Sequence, residues 1–290
     1  MTPVLPPEVQ ALYPFQPHRL ELPEGRMHYV DTGGDGPVVV LLHGNPSWSF
    51  LWRDLIKALA AQGYRCIAPD HLGMGLSDKP ERYLGLADRI RHVETLLDTL
   101  GVKAFHLGVH DWGGAIGFGV AVRRPDAVRK LLVTNTAAFP SQDIPPSIAI
   151  CKIPCFGPFI VRAFNAFAWP ATFMAVNKPL SLSAKAGFLL PYDCFANRRH
   201  VANFVRDIPL SPKHPSYAVL AEIEAGLPRL LNKPMLIEWG GRDFCFNDKF
   251  LARWRQFFPA ATVRHHADAG HYLLEDAGTV IIPEVIEFLR

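Results

Sequence analysis

Between Ala104 and Arg124 the chain passes from an apolar strand candidate (Ala104 to Val109) to a Gly- and Ala-rich helix candidate, with only His110-Asp111-Trp112 between them. A strand that turns this sharply into a helix needs small residues just past the apex, so that helix and strand can pack closely, and Gly113 and Gly114 supply them. The side chain at the apex is then held out of the backbone, into a pocket. Here that side chain is a carboxylate, Asp111, where such hairpins commonly present a serine. A carboxylate needs no deprotonation at neutral pH and can displace a leaving group from an alkyl carbon, forming an ester. One residue thus shifts the expected chemistry from acyl transfer toward substitution at carbon.

The rest of the chain supplies a sheet for this hairpin. His18 to Leu22 and Arg26 to Asp31 read as an antiparallel edge hairpin. Pro37 to Leu42 is a continuous apolar run of the kind that forms a parallel strand buried on both faces. Strand candidates at Arg65–Ala68 and Lys130–Thr134 alternate with helix candidates at 51–62, 82–100 and 113–124. This alternation predicts an α/β fold, a mostly parallel central sheet with helices on both faces. From Phe139 to Pro228 the pattern gives way to prolines, aromatics and short helix candidates without a clear strand. It resumes with strands at Met235–Trp239 and Thr262–His266 and helices at 247–257 and 279–289. The expected organisation is a core made of residues 1–138 and 229–290, with a helical cap at 139–228 over the sheet's C-terminal edge, where open α/β sheets place their sites.

Three polar residues fall just after strand candidates on that edge. They are Asp111, Asp243 in Trp239-Gly240-Gly241-Arg242-Asp243, and His271 in Ala269-Gly270-His271-Tyr272. A lone Asp or His beside a glycine is ordinarily a turn or cap residue. The order nucleophile, acid, histidine, with the cap between the first two, is that of an α/β-hydrolase triad. Another place for the acid follows the strand ending near Thr134. That position reads Asn135-Thr136-Ala137, without a carboxylate, and Asp143 suits a cap loop better. Asp70, Asp78, Asp268 and Asp276 read as turn or cap residues. His43, His71, His106 and His110 read as structural hydrogen-bonding groups, with His43 the most interesting because it opens the loop that faces Asp111.

Composition excludes several classes. A formal net charge of +3 without a dense Lys/Arg run does not suit nucleic-acid binding, and Arg123-Arg124 and Arg198-Arg199 read as solvated helix-end charges. Five scattered cysteines read as reduced, buried thiols of a cytoplasmic protein, and Cys151 with Cys155 lacks a second ligand pair for a metal. The start, Met1 to Pro7, has neither the basic nor the apolar region of a leader peptide. Lys152, Arg162 and three prolines interrupt the apolar stretch from Ile148 to Val176, so it does not read as a transmembrane helix. It reads instead as a sticky surface or as the lining of a greasy tunnel, and so as a surface for a homo-oligomer or a partner.

Together, His43-Gly44-Asn45-Pro46, Trp48, Trp52, the run Asp70-His71-Leu72-Gly73-Met74-Gly75-Leu76-Ser77-Asp78 and His110-Asp111-Trp112-Gly113-Gly114 resemble the haloalkane dehalogenases over nearly the whole chain. The resemblance implies an α/β-hydrolase fold, with Asn45 and Trp112 holding the departing halide. An indole N–H and an amide supply donors that a halide needs in a dry pocket; the alternative for Trp112 is plain packing against the cap. The backbone N–H groups of Asn45 and Trp112 would form the oxyanion hole. In the implied cycle Asp111 attacks the halogen-bearing carbon. His271, oriented by Asp243, then takes a proton from the water that hydrolyses the ester. The substrate would be small and apolar, and the cycle calls for no metal or organic cofactor.

The acid after the late strand, Asn45, and the cap stretches 151–154 and 164–168 resemble the third dehalogenase subfamily, which is close to the β-lactone decarboxylases of olefin biosynthesis. Those enzymes share the Asp–His–Asp and Asn–Trp set and release carbon dioxide and an alkene. The aromatic cap (Phe156, Phe159, Phe164, Phe167, Trp169, Phe173) would suit a long alkyl chain, or would simply be cap core. Epoxide hydrolases also use an elbow aspartate, but carry an aromatic where Asn45 stands and two cap tyrosines, for which only Tyr192 and Tyr217 are available. A ligand receptor on the same fold is the remaining class, and the intact five-residue set argues against it.

Overall fold

Strands with apolar residues on both faces dominate the centre of this structure, a computed structural model that describes residues 5–290. The start, read above as lacking a leader, therefore lies partly outside the described residues. In chain order the elements begin with α1 (Pro7–Leu12), β1 (His18–Leu22), β2 (Gly25–Asp31), β3 (Val38–Leu42), α2 (Arg53–Ala61), β4 (Arg65–Pro69), α3 (Leu86–Thr99), β5 (Phe105–Asp111), α4 (Trp112–Arg123) and β6 (Val128–Thr136). The cap region supplies α5 (Pro146–Lys152), α6 (Phe156–Phe164), α7 (Ala168–Met174), α8 (Leu182–Leu189), α9 (Arg199–Asp207) and α10 (Pro215–Gly226). The chain closes with β7 (Met235–Gly240), α11 (Asp248–Phe257), β8 (Thr262–His266) and α12 (Leu273–Leu289).

The eight strands form one sheet in the order β1-β2-β4-β3-β5-β6-β7-β8. β1/β2 and β2/β4 pair antiparallel, and every other pair is parallel. All residues of β5 and β7 are buried, as parallel strands covered on both faces must be. Side chains alternate between two cores: Val40, Leu42, Val133 and Ile237 pack in one, and Val39, Leu41, Leu132 and Leu236 in the other. The first core is covered by α3 and α4, the second by α2 and α12. Expected and observed strands agree to within two residues at each end.

Three details depart from the sequence expectation. Helix α10, counted within the cap, packs on α3 and α4, so the chain is back on the core layer by Pro215, before residue 228. Helix α12 starts at Leu273 and runs through Pro283 instead of starting at Thr279. Of the cysteines, all free, Cys66 and Cys151 are buried, but Cys155 and Cys194 are exposed and Cys245 is half-buried.

Candidate active site

The strand-to-helix turn holds Asp111 at φ 53°, in the left-handed region that a non-glycine residue seldom adopts. Strain of about 1–3 kcal/mol is typical of such a position. The hydroxyl of Thr136 on β6 donates to the Asp111 carbonyl and helps hold the turn. The two glycines that follow are required by close approach. A Cβ on Gly113 would lie 2.1 Å from the carbonyl oxygen of Leu42, and one on Gly114 would lie 1.9 Å from Oγ1 of Thr136.

The carboxylate of Asp111 sits in a ring of donors. The backbone N–H of Asn45 donates to its Oδ1 at 2.6 Å, and the backbone N–H of Trp112 also donates to it. Burial raises its pKa above the ordinary carboxylate value, although His271 and these two N–H groups pull the other way. Nε2 of His271 lies 3.6 Å from Oδ2 of Asp111, beyond hydrogen-bond length.

His271 leaves the end of β8 in a short loop, and Asp243 leaves the end of β7. Their side chains meet at 2.7 Å, Nδ1 to Oδ2. The other Asp243 oxygen accepts the backbone N–H groups of Cys245 (2.6 Å) and Phe246 (3.1 Å). With every oxygen of Asp243 an acceptor, the histidine proton belongs on Nδ1 and the Nε2 lone pair faces Asp111. Burial lowers the His271 pKa, but Asp243, and then Asp111, outweigh it, and the net shift is upward.

Asn45 and Trp112 flank the same carboxylate. The Asn45 amide gives one N–H to the Val201 carbonyl of α9 at 3.2 Å, while its Oδ1 is buried without a protein partner. Trp112 packs edge-tilted on Phe204, centroids 5.5 Å apart. Among the described residues its indole N–H has no protein acceptor. The five residues singled out in sequence, Asp111, His271, Asp243, Asn45 and Trp112, are thus brought together, and all but the screened Asp243 line one cavity.

That cavity has a volume of about 1180 Å³, counted with its open mouth. Its walls are apolar from the core side (Phe139, Phe246, Phe250) and from the cap side (Ile148, Phe167, Met174). No tyrosine lines it. Tyr192 is buried elsewhere, donating to the Ser47 carbonyl, and Tyr217 faces a separate surface hollow. The paired cap tyrosines of an epoxide hydrolase are absent from this cavity.

The other polar residues read from sequence do structural work. Asn135, at the alternative acid position, gives its amide N–H to the Gly240 carbonyl (3.1 Å) and accepts the Gly240 N–H (2.7 Å), fastening β6 to β7. His43 donates from Nδ1 to the Gly44 carbonyl and accepts the His71 N–H on Nε2. Asp70 does more than cap a turn: it is fully buried, paired with His28 at 2.9 Å, and accepts the N–H groups of Ser49 and Leu76. Its pKa is lowered to about 2; burial pushes it up, and His28 chiefly overcomes that. Asp276 accepts the N–H groups of Asn177, Lys178 and Gly270, tying the cap to the His271 loop.

Sequence reasoning did not place three neighbours at His271, although it read His110 as a structural hydrogen-bonding group. Phe246 stacks on its ring at 5.8 Å, His110 donates from Nε2 to its backbone carbonyl at 2.8 Å, and Cys245 lies beside it and Asp243. The dipeptide Cys245-Phe246 follows Asp243 closely enough to have been suspected. The His110 contact spans 161 residues and leaves no local signal.

Comparison with known proteins agrees with this geometry. Residues 37–150 match the family model described as the alpha/beta hydrolase fold. A cis-3-alkyl-4-alkyloxetan-2-one decarboxylase of Shewanella oneidensis is 42% identical over 289 residues, covering 97% of this chain and 90% of that one. Haloalkane dehalogenase 2 of Mycobacterium bovis is 33% identical, with 95% of this chain and 96% of its own length covered. The crystal structure of a loop variant of a haloalkane dehalogenase from Bradyrhizobium elkanii superposes with a TM-score of 0.85 at 26% identity, covering 95% of this chain and 96% of that one. An aspartate at the elbow, set on this sheet beneath this cap, places the chain in the α/β-hydrolase fold family, within the group that holds the haloalkane dehalogenases and the cis-3-alkyl-4-alkyloxetan-2-one decarboxylases.

Proposed function

We propose that the protein decarboxylates cis-3,4-dialkyl β-lactones to cis-alkenes, with Asp111 as nucleophile. The observation that carries this reading is the cavity. Its walls are apolar on both sides of Asp111, Phe139, Phe246 and Phe250 from the core and Ile148, Phe167 and Met174 from the cap. A reacting carbon with an alkyl chain on each side fits such a space better than a short alkyl halide does. The 42% identity to a decarboxylase of this substrate class over almost the whole chain supports it.

The chemistry follows from the positions of the groups. Asp111 attacks C4 of the lactone opposite the ring oxygen, forming a C4–O ester bond and freeing the ring carboxylate. The side-chain donors of Asn45 and Trp112 receive that anion where they would receive a halide. Inversion at C4 sets the new ester oxygen anti to the C3–carboxylate bond. Loss of carbon dioxide then turns the electron pair of that bond into the alkene, and the C4–O pair returns to Asp111. Inversion followed by anti elimination keeps the two alkyl groups cis. No proton or water is consumed, so His271, held by Asp243, is not called on as a base.

Hydrolysis of a carbon–halogen bond is the second reading, and the Asn45–Trp112 pair beside Asp111 favours it specifically. The alkyl ester on Asp111 has no carboxylate to lose in that case. His271 must then activate a water against the ester carbonyl, whose developing oxyanion meets the backbone N–H groups of Asn45 and Trp112.

One experiment separates the two. Purified protein is given a long-chain cis-β-lactone or, separately, a brominated alkane, and alkene and bromide are followed with Asp111→Ala as control. Fast alkene formation with sluggish bromide release, both lost in the variant, is the expected result. Rapid bromide release with little alkene would make the protein a dehalogenase.

A further inference from the structure

The apolar residues of the cap are not all cap core. Ile150, Ile153, Phe156, Phe159, Phe164, Trp169 and Phe173 are each about half exposed or more, and Phe164 reaches 71%. They are clustered: Phe159 and Phe164 meet edge to face at 5.9 Å, as do Trp169 and Phe173 at 5.0 Å. An aromatic surface this large on a globular domain marks a place where something docks.

Charge says what kind of surface would cover it. Residues 146–206 contain seven Lys and Arg against a single acid, Asp193, although the whole chain carries only +3. Helices α5 to α9, with Asp207 the further acid at their end, are therefore cationic at +5, and the remainder of the chain sums to −2. Among the described residues, only one of the seven, Arg199, has a carboxylate partner, Glu81. Two others sit among the exposed rings: Lys185 lies 5.6 Å from the Trp169 ring centroid and Arg162 lies 3.9 Å from that of Phe195. A second copy of the chain would set these cations against one another across a two-fold interface. An anionic bilayer complements both the charges and the rings.

The same helices lead to the site. Met174 of α7 is exposed and also lines the cavity, while Ile148 of α5 and Phe167, just before α7, line it from within. No single helix among the described residues is long and apolar enough to cross a membrane. Helices α5 and α6 meet that requirement only as a pair, bent by 103° at their break. A bent, half-exposed apolar pair suits lying in an interface better than spanning it.

We propose that this aromatic, cationic face of the cap docks on anionic phospholipid bilayers, so that a long-chain substrate enters the cavity mouth from the lipid and the alkene returns to it. The delivery step rests on the β-lactone reading above; the docking does not.

The test is flotation of the full chain with vesicles of phosphatidylcholine alone or with about one third phosphatidylglycerol. The expected result is flotation with the anionic vesicles only, weakened by salt. The double variant Phe159→Asp/Trp169→Asp should reduce binding by about tenfold or more, and Arg162→Glu/Lys185→Glu should do the same. Circular dichroism and turnover of a short, water-soluble substrate report whether each variant is folded. Retained turnover of that substrate with lost flotation supports docking whichever reaction the site performs. Failure of the wild-type chain to float with anionic vesicles overturns the proposal. So does flotation unaffected by either variant, or a concentration-dependent dimer that the variants dissolve while lipid has no effect.

Discussion

Gly44 is packed against Asp111 so closely that a Cβ on Gly44 would lie 1.9 Å from the Asp111 Oδ1 and 2.4 Å from its Cβ. The Asn45 N–H reaches that oxygen only because the preceding residue has no side chain. Gly44→Ala is therefore expected to push the carboxylate off its donors. Overpacking of this kind costs about 1–3 kcal/mol in stability, and displacing the nucleophile by about 1 Å can cost two orders of magnitude in rate. Lactone turnover and thermal melts on the same preparation check this. A variant with wild-type turnover would show that the nucleophile tolerates a shifted position.

His271 separates the two reactions because only one needs a base. In His271→Gln a bromoalkane should alkylate Asp111 and stop there, since no group remains to activate water against the ester. Intact-mass spectrometry should find the alkyl adduct, gone in Asp111→Ala. With a β-lactone the same variant should continue to turn over, at a reduced rate, because loss of carbon dioxide frees Asp111 without water. A lactone reaction that halts at a stable adduct would refute the elimination step.

The pH profiles should differ for the same reason. His271 is useful as a base only when neutral. Its pKa is raised above 6.5, since Asp243 and Asp111 outweigh the lowering effect of burial. Bromide release should therefore fall as pH drops through that raised value. Lactone turnover needs only an ionised Asp111, whose pKa burial raises above 3.8. It should persist to lower pH and fail as Asp111 takes up a proton. Coincident acid limbs in the two pH profiles would show that lactone turnover also requires neutral His271.

These contrasts rest on positions that were legible in the sequence because each follows a strand. Asp111 and Asp243 come at or just after the apolar runs of the central strands β5 and β7, and His271 follows the short edge strand β8; parallel strands deliver their last residues to one sheet edge. Gly113 and Gly114 announced a close approach that the structure places at Leu42 and Thr136. What could not be read depends on distant partners. Helix α12 begins at Leu273 because its first turn is held from outside, with Glu275 paired to Arg53 at 2.5 Å and Asp276 clamping the cap. Asn135 looked like an empty acid position; its role in joining β6 to β7 appears only once Gly240 lies beside it. The return of α10 to the core was likewise hidden, since an apolar helix face does not say which layer it covers.

Several histidines are buried in the neutral form, and this sets an acid limit on stability. Burial lowers the pKa of His43 to about 4 and that of His200 to about 3, and puts His71 and His110 well below 6.5. As pH falls below 6.5 the unfolded chain binds protons that the folded chain cannot, so the stability present above 6.5 is progressively lost toward pH 4. His43 alone accounts for up to about 3 kcal/mol at one pKa unit per 1.36 kcal/mol. Melting temperatures should drop across pH 6.5 to 4, with a smaller drop in His200→Asn. A flat profile across that range would mean the buried rings are already charged or solvated.

Trp112 tests how far the anion site is shared by the two reactions. Its ring packs on Phe204, and its indole N–H is left without a protein acceptor beside Asp111. Trp112→Phe keeps most of that packing and removes the donor. Loss of one preorganised donor at a charge-developing site costs roughly 10²–10³ in rate. Bromide release should fall by about that factor, because halide has no other neutral donor than the Asn45 amide. The lactone carboxylate spreads its charge over two oxygens and is lost as carbon dioxide. Its reaction should therefore fall less, and the ratio of alkene to bromide formed should rise in the variant. A ratio that falls instead would mean the indole serves the carboxylate more than the halide, and the anion site would have to be redrawn around the lactone.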